Sequence, residues 1–134
     1  MIYVDSGIIM RLLEGLPSVR EPIESHMLKL SLEERLLLTS RLACLECRCK
    51  PLREKNVQLL ALYDSFFRAP EIHLGEIDQS VIESATELRA NHRWKTPDAI
   101  HASTALLHQA AEFWTTDEYF RQWDKLPVRI FPAV

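Results

Sequence analysis

Short apolar, β-prone runs recur along this chain, separated by stretches of helical length and period. That alternation constrains the fold more than any other feature. Ile2-Tyr3-Val4 opens the series, followed by Leu36-Leu37-Leu38-Thr39-Ser40, Ile72-His73-Leu74, Phe113-Trp114-Thr115 and Val128-Arg129-Ile130-Phe131. Between them, helices are predicted from Asp5-Ser6 to Glu14, where Gly15 and Pro17 stop the first, and over 19–30, 41–54, 56–68, 78–92, 96–111 and 117–123. Thr96-Pro97 reads as an N-cap followed by proline at the first helical position. Periodicity alone leaves open a helical continuation from Glu33 through 36–40. Strands that alternate with helices join in parallel through right-handed crossovers, with helices on both faces. The expectation is one α/β domain over residues 1–134, a three-layer α/β/α sandwich around a mainly parallel sheet of four to five short strands.

Composition narrows the function. A chain that is 47% hydrophobic and 26% charged has the makeup of an ordinary globule rather than a disordered segment. Its net charge of −3 excludes nucleic-acid binding through overall field, so any such binding needs a local basic strip or a metal. No apolar run approaches the roughly 20 residues of a membrane span. The start, Met1-Ile2-Tyr3-Val4-Asp5, lacks a basic leader, so a cytoplasmic protein is expected. Cys44, Cys47 and Cys49 form no disulfide framework and fit a reducing compartment.

Acids stand at the joints of this pattern. Asp5 follows the first strand, Asp98 opens a helix, and Asp117 follows Trp114-Thr115-Thr116; Glu46 lies within Ala43-Cys44-Leu45-Glu46-Cys47. In alternating folds such joints gather along one sheet edge, where ligands bind. Two carboxylates about 5 Å apart repel by roughly 3 kcal/mol at an effective dielectric near 20, so a cluster of them calls for protons or a cation. Taken singly, Asp5 and Asp117 are also adequate helix caps, and Asp98 complements a helix dipole. Glu46 has no cap to explain it and needs a partner, either Arg41 or Arg48 if not a metal. An oxygen-rich cluster suits Mg²⁺ or Mn²⁺ and metal-assisted phosphodiester hydrolysis, with one ion or two. Ser6, Thr115 and Thr116 are short hydroxyls placed to support it.

Tyr3-Val4-Asp5-Ser6-Gly7, Lys95-Thr96-Pro97-Asp98-Ala99-Ile100-His101-Ala102 and Trp114-Thr115-Thr116-Asp117 together resemble a PIN-domain ribonuclease, most nearly the VapC-like toxins of bacterial toxin–antitoxin pairs. The resemblance covers essentially the whole chain, and the Thr-Pro-Asp-Ala-Ile-His stretch is its most specific part. It implies the PIN sandwich, Mg²⁺- or Mn²⁺-dependent cleavage of RNA, a homodimer, and a cognate antitoxin as partner. Carried over by position, Asp5, Glu46, Asp98 and Asp117 match the acidic quartet, and Ser6 with Thr115 or Thr116 match the accompanying hydroxyls. The stretch around Glu46 is richer in Cys and Arg than the family pattern.

Two other functions compete with this one. An aspartyl phosphotransferase also uses an Asp after the first strand, but it places a second Asp where this chain has Gly7. A catalytically inactive PIN-like module would bind RNA or protein without cleaving it. Arg48, Lys50, Arg53 and Lys55, with Arg89, Arg93 and Lys95, form two candidate strips for an RNA backbone or two solvated helix surfaces. Trp94 is read as exposed or half-exposed, placed to stack a base or to make a core or dimer contact. His101 reads as a helix-packing histidine that satisfies a neighbour, one turn beyond Asp98. The cysteine string reads as buried thiols rather than a zinc site. Leu12, Leu13 and the stripe at 59–67 are candidates for apolar surface beyond the needs of the core.

Overall fold

A computed structural model describes residues 1–33 and 35–132. Strands β1 (Ile2–Val4), β2 (Leu37–Ser40), β3 (Ile72–Gly75), β4 (Glu112–Thr115) and β5 (Val128–Ile130) form one sheet in the order β3-β2-β1-β4-β5, every pairing parallel. Helices α1 (Ser6–Glu14) and α2 (Pro17–Leu32) connect β1 to β2, and α3 (Arg41–Arg53) and α4 (Val57–Arg68) connect β2 to β3. Helices α5 (Gln79–His92) and α6 (Thr96–Leu107) lead to β4, and a short 3-10 helix (Glu118–Gln122) precedes β5. Leu37–Ser40 is therefore strand, which closes the alternative of a helical continuation; Glu34 itself lies outside the described residues.

Strand alternation sorts the core into two layers. Ile2, Val4, Leu37 and Trp114 pack with Ile8, Ile9, Ile23, Tyr63 and Phe67 of the α1–α4 side. Tyr3, Leu38 and Phe113, which are register partners across three strands, pack with Val81, Ala99, Ala102 and Ala105 of α5 and α6. A sheet covered on both faces explains why its strands read as continuous apolar runs. Helix α6 takes small residues because it is itself buried between α5 and the sheet; Ala99, Ala102, Ser103 and Ala105 are buried.

Three local readings change. Lys95, not Thr96, is the N-cap of α6, with no side-chain cap bond, and Pro97 enters within the first turn. Trp94 is 5% exposed and belongs to the core, because the tryptophan packs between α5 and the 3-10 helix instead of facing water. The stripe at 59–67 and Leu12-Leu13 are used by the core. Exposed apolar side chains include Leu45 and Leu52 on α3, Leu28 and Leu32 on α2, and Leu62 on α4 beside the buried stripe. Among the described residues no helix is long and apolar enough to cross a membrane.

Candidate active site

The strand order reverses direction at β1, whose neighbours β2 and β4 lead to opposite edges of the sheet. In parallel sheets a crevice opens at the carboxyl ends of the strands at such a point. Asp5 stands there at the end of β1, and its backbone N–H continues the ladder to the Trp114 carbonyl (3.2 Å). That pairing sets Asp5 beside Thr115. Thr115 donates its hydroxyl to Asp5 Oδ2, and the same hydroxyl accepts from the Asp117 N–H at 3.0 Å. Asp5 Oδ1 caps α1 by accepting from the Ile8 N–H at 3.1 Å. Of the roles that the sequence allowed it, the helix cap is the one this bond performs.

Gly7 completes this corner. A Cβ there would collide with the Thr116 hydroxyl and lie 3.5 Å from Asp5 Oδ1, so α1 approaches the end of β4 only because this position carries no side chain. An aspartyl phosphotransferase needs a carboxylate at this position, and the packing leaves no space for one.

Glu46 enters from the second turn of α3. Its Oε1 lies 2.7 Å from His101 Nε2, and His101 Nδ1 lies 2.5 Å from the Tyr3 hydroxyl. His101 thus bridges the two groups, with Nδ1 against the Tyr3 hydroxyl and Nε2 against the Glu46 carboxylate. Burial pushes the Glu46 carboxyl up, but the hydrogen bond and charge of His101, with a hydrogen bond from Ser6, outweigh it and hold it below the ordinary glutamate value. His101, 3% exposed, does satisfy a neighbour, and that neighbour is one of the candidate acids. Sequence reasoning found the contact but not the partner. The i, i+3 spacing from Asp98 was the available signal. Neither Arg41, bonded to Glu76, nor Arg48, bonded to Asp64, partners Glu46.

Asp98 is held differently. It lies in the first turn of α6, half-buried, and no hydrogen bond or ion pair to its carboxyl is found among the described residues. Burial raises its pKa first and the charge of Asp117 next; His101 and Lys95 oppose them, and Glu46 adds the smallest push upward. Asp5 is raised as well, by burial first and also by Glu46, despite the opposing effect of His101, Thr115 and Ile8. The four acids therefore feel one another electrostatically: Asp5 with Glu46, Glu46 with Asp98, Asp98 with Asp117. Asp117 is exposed and caps the 3-10 helix through the Tyr119 N–H (2.9 Å).

The chain belongs to the PIN-domain family. Residues 2–126 match the family model described as PIN domain. Among solved structures, this PIN domain is similar to VapBC2 from Rickettsia felis, bound in that crystal to a DNA fragment from its promoter, with a TM-score of 0.78 and 17% identity over 98% of this chain and 99% of the other. It is similar to FitAcB from Neisseria gonorrhoeae, with TM-score 0.74 and 20% identity over 96% of both chains. It is also similar to Mycobacterium tuberculosis VapC20, described as a sarcin–ricin-loop-cleaving toxin, with TM-score 0.73 and 14% identity over 90% of this chain and 93% of the other. No curated protein matches the chain significantly in sequence.

The fit of a cation to this PIN domain rests on donor chemistry. Carboxylate and hydroxyl oxygens are the donors that hard divalent ions prefer. The raised, unpartnered carboxyl of Asp98 is one that a cation would relieve. As they stand, no three His, Cys, Asp or Glu side chains among the described residues are close enough to close on one ion. The remaining candidates are distributed unevenly. Arg48 pairs with Asp64 (3.0 Å) and Lys50 with Glu54 (3.9 Å), whereas Arg53, Arg93 and Lys95 are exposed. Of these, Lys95 lies near enough to Asp98 to act on its charge. Cys44 and Cys47 are buried, with thiol pKa values raised by burial, and Cys49 is exposed.

Proposed function

We propose that this PIN domain is a Mg²⁺- or Mn²⁺-dependent endoribonuclease, the toxin of a toxin–antitoxin pair, acting in the cytoplasm as a homodimer restrained by its antitoxin. The observation that carries the catalytic part is the half-buried, unpartnered Asp98 carboxyl beside Asp117 and Glu46. Leaving such a group unneutralised costs folding free energy that a bound cation would recover. The toxin and antitoxin parts are supported by the likeness to VapBC2, to VapC20 and to a toxin–antitoxin complex from Klebsiella pneumoniae.

In this reading Asp5, Asp98 and Asp117 hold the ion, with Glu46 at its margin. When bound, the ion supplies positive charge that polarises the phosphoryl group and eases departure of the leaving oxygen. Thr115 and the Ile8 N–H fix the Asp5 carboxylate by donating to one oxygen each, which leaves each oxygen one further lone pair for a ligand. His101 keeps Glu46 ionised and turned toward the acids, where it accepts a hydrogen bond from the attacking water and orients it. Lys95, with Arg93 and Arg53, attracts the RNA backbone; Arg48 and Lys50 contribute less because acids of this chain already neutralise them.

The test is cleavage of RNA with Mg²⁺ or Mn²⁺. Activity is expected to vanish in EDTA and on Asp98→Asn, and cleavage indifferent to the chelator would refute the metal mechanism. One observation favours the second reading, a non-cleaving binding module: no three potential ligands stand close enough to close on one ion among the described residues. Calorimetry decides between them, since a folded protein that takes up no Mn²⁺ would be that module.

A further inference from the structure

A cavity of about 350 Å³ lies beside the candidate active site, between the end of α5, the loop before α6 and the 3-10 helix. Its volume is within the range of small-ligand sites. Trp94, Tyr119 and Trp123 line it. Trp94 and Trp123 are core residues, but Tyr119 keeps 36% of its surface exposed. Trp94 meets Tyr119 edge-on (5.8 Å between centroids, 72° between planes) and Trp123 in the same manner (5.7 Å, 73°). The exposed ring therefore rests on a rigid aromatic base. Arg89 locks that base by donating from Nε to the Trp94 carbonyl (3.0 Å), and Arg93 closes α5 in the left-handed conformation (φ 57°) just ahead of it.

The polar part of the wall is mixed. Gln122 offers both a donor and an acceptor, Asp124 acceptors, and Lys125 and His92 groups that suit a phosphate. The cavity is tied to the acids on both sides. Tyr119 donates its N–H to Asp117, and Trp94 is followed by Lys95, whose charge acts on Asp98.

We propose that this cavity is a nucleobase subsite, in which an unpaired base of single-stranded RNA stacks on Tyr119 and is read along its edge by Gln122 and Asp124. This deepens the proposed ribonuclease reading and rests on it for the identity of the ligand. A flat apolar platform suits the face of any base, and mixed donors and acceptors suit its edge. Lys125 and His92 then hold the phosphate beside that base, and the backbone runs on toward Asp98 and Asp117.

The experiment measures binding in EDTA, where cleavage plays no part. The probes are hexaribonucleotides that are abasic throughout, and the same chains carrying adenine, guanine, cytosine or uracil at the centre. Binding is followed by calorimetry and by tryptophan fluorescence, since two of the three tryptophans line the cavity. At least one base is expected to raise affinity roughly tenfold over the abasic chain. Tyr119→Ala should remove that gain and Tyr119→Phe should keep it, while Gln122→Ala should alter which base is preferred. Equal binding of all five probes by the wild type overturns the proposal, as does a full gain in Tyr119→Ala. Gln122→Ala and Tyr119→Phe keep the test decisive if Tyr119→Ala does not fold. Mn²⁺-dependent cleavage without base-dependent binding rejects the subsite alone. Base-dependent binding without cleavage rejects the nuclease reading and leaves the subsite standing.

Discussion

Asp5 and Asp98 both lie within electrostatic reach of Glu46 and His101, yet the fold holds them in opposite ways. Asp5 is buried and takes hydrogen bonds from the Ile8 N–H and the Thr115 hydroxyl; Asp98 is half-buried and takes none among the described residues. The first acid is part of the architecture as well as the site. The second serves the isolated fold only as a negative charge in the first turn of α6. Paired groups are retained for structure, whereas a carboxyl kept unpaired among other acids is a cost that only a ligand offsets.

The largest effect expected from this contrast is on catalysis. Asp98→Asn should lower RNA cleavage about a thousandfold, equivalent to about 4 kcal/mol of transition-state stabilisation, with the circular dichroism spectrum unchanged. A variant that cleaves normally would show Asp98 to be no more than a helix-terminus charge. His101→Ala comes next. It leaves the buried Tyr3 hydroxyl and Glu46 without their shared partner, so urea unfolding should report about 3 kcal/mol less stability. Cleavage should fall less than in Asp98→Asn, because Glu46 is displaced but not removed.

Millimolar Mn²⁺ should stabilise the wild type by about 2.7 kcal/mol at one hundred times its dissociation constant. Asp98→Asn should lose most of that gain, and a melting temperature that ignores Mn²⁺ in the wild type would count against the metal site as a whole. Without metal, Asp5→Ala should cost about 2 kcal/mol through the lost cap and the unsatisfied Thr115 hydroxyl, whereas Asp98→Ala should be neutral or stabilising. Equal costs would erase the distinction between the two acids.

The smallest effect is a pH dependence. The folded pKa of Asp98 lies above its ordinary value of 3.8, so between those two values the native state binds more protons than the unfolded chain. Stability contributed by this group is therefore present at low pH and falls as pH rises through that window. In metal-free protein, Asp98→Asn should melt with the wild type near pH 4 and above it at neutral pH. The opposite trend would mean that Asp98 has a stabilising partner after all.

Much of the candidate site was legible because its parts are local. Asp5, Asp98 and Asp117 each follow an apolar run or open a helix, and helix starts announce themselves through short polar residues and proline. Trp94 was misread because its exposure depends on how α5 meets the 3-10 helix, a contact between segments with no local signal. The surplus apolar surface was misplaced for the same reason: the 59–67 stripe faces the core, and Leu45 and Leu52 do not. Arg48 looked available for RNA until the chain brought Asp64 against it.

Alternation of strand and helix, parallel pairing and the order of the acids were determined by sequence alone, since hydrophobic period and capping chemistry act over a few residues. Only the tertiary structure decided that Glu46 is oriented by His101 and Tyr3, that Thr115 ties Asp5 to Asp117, and that Asp98 stands without a partner. Those facts join residues up to 110 positions apart, and such distances are set by the packing of whole layers rather than by any neighbouring stretch of chain.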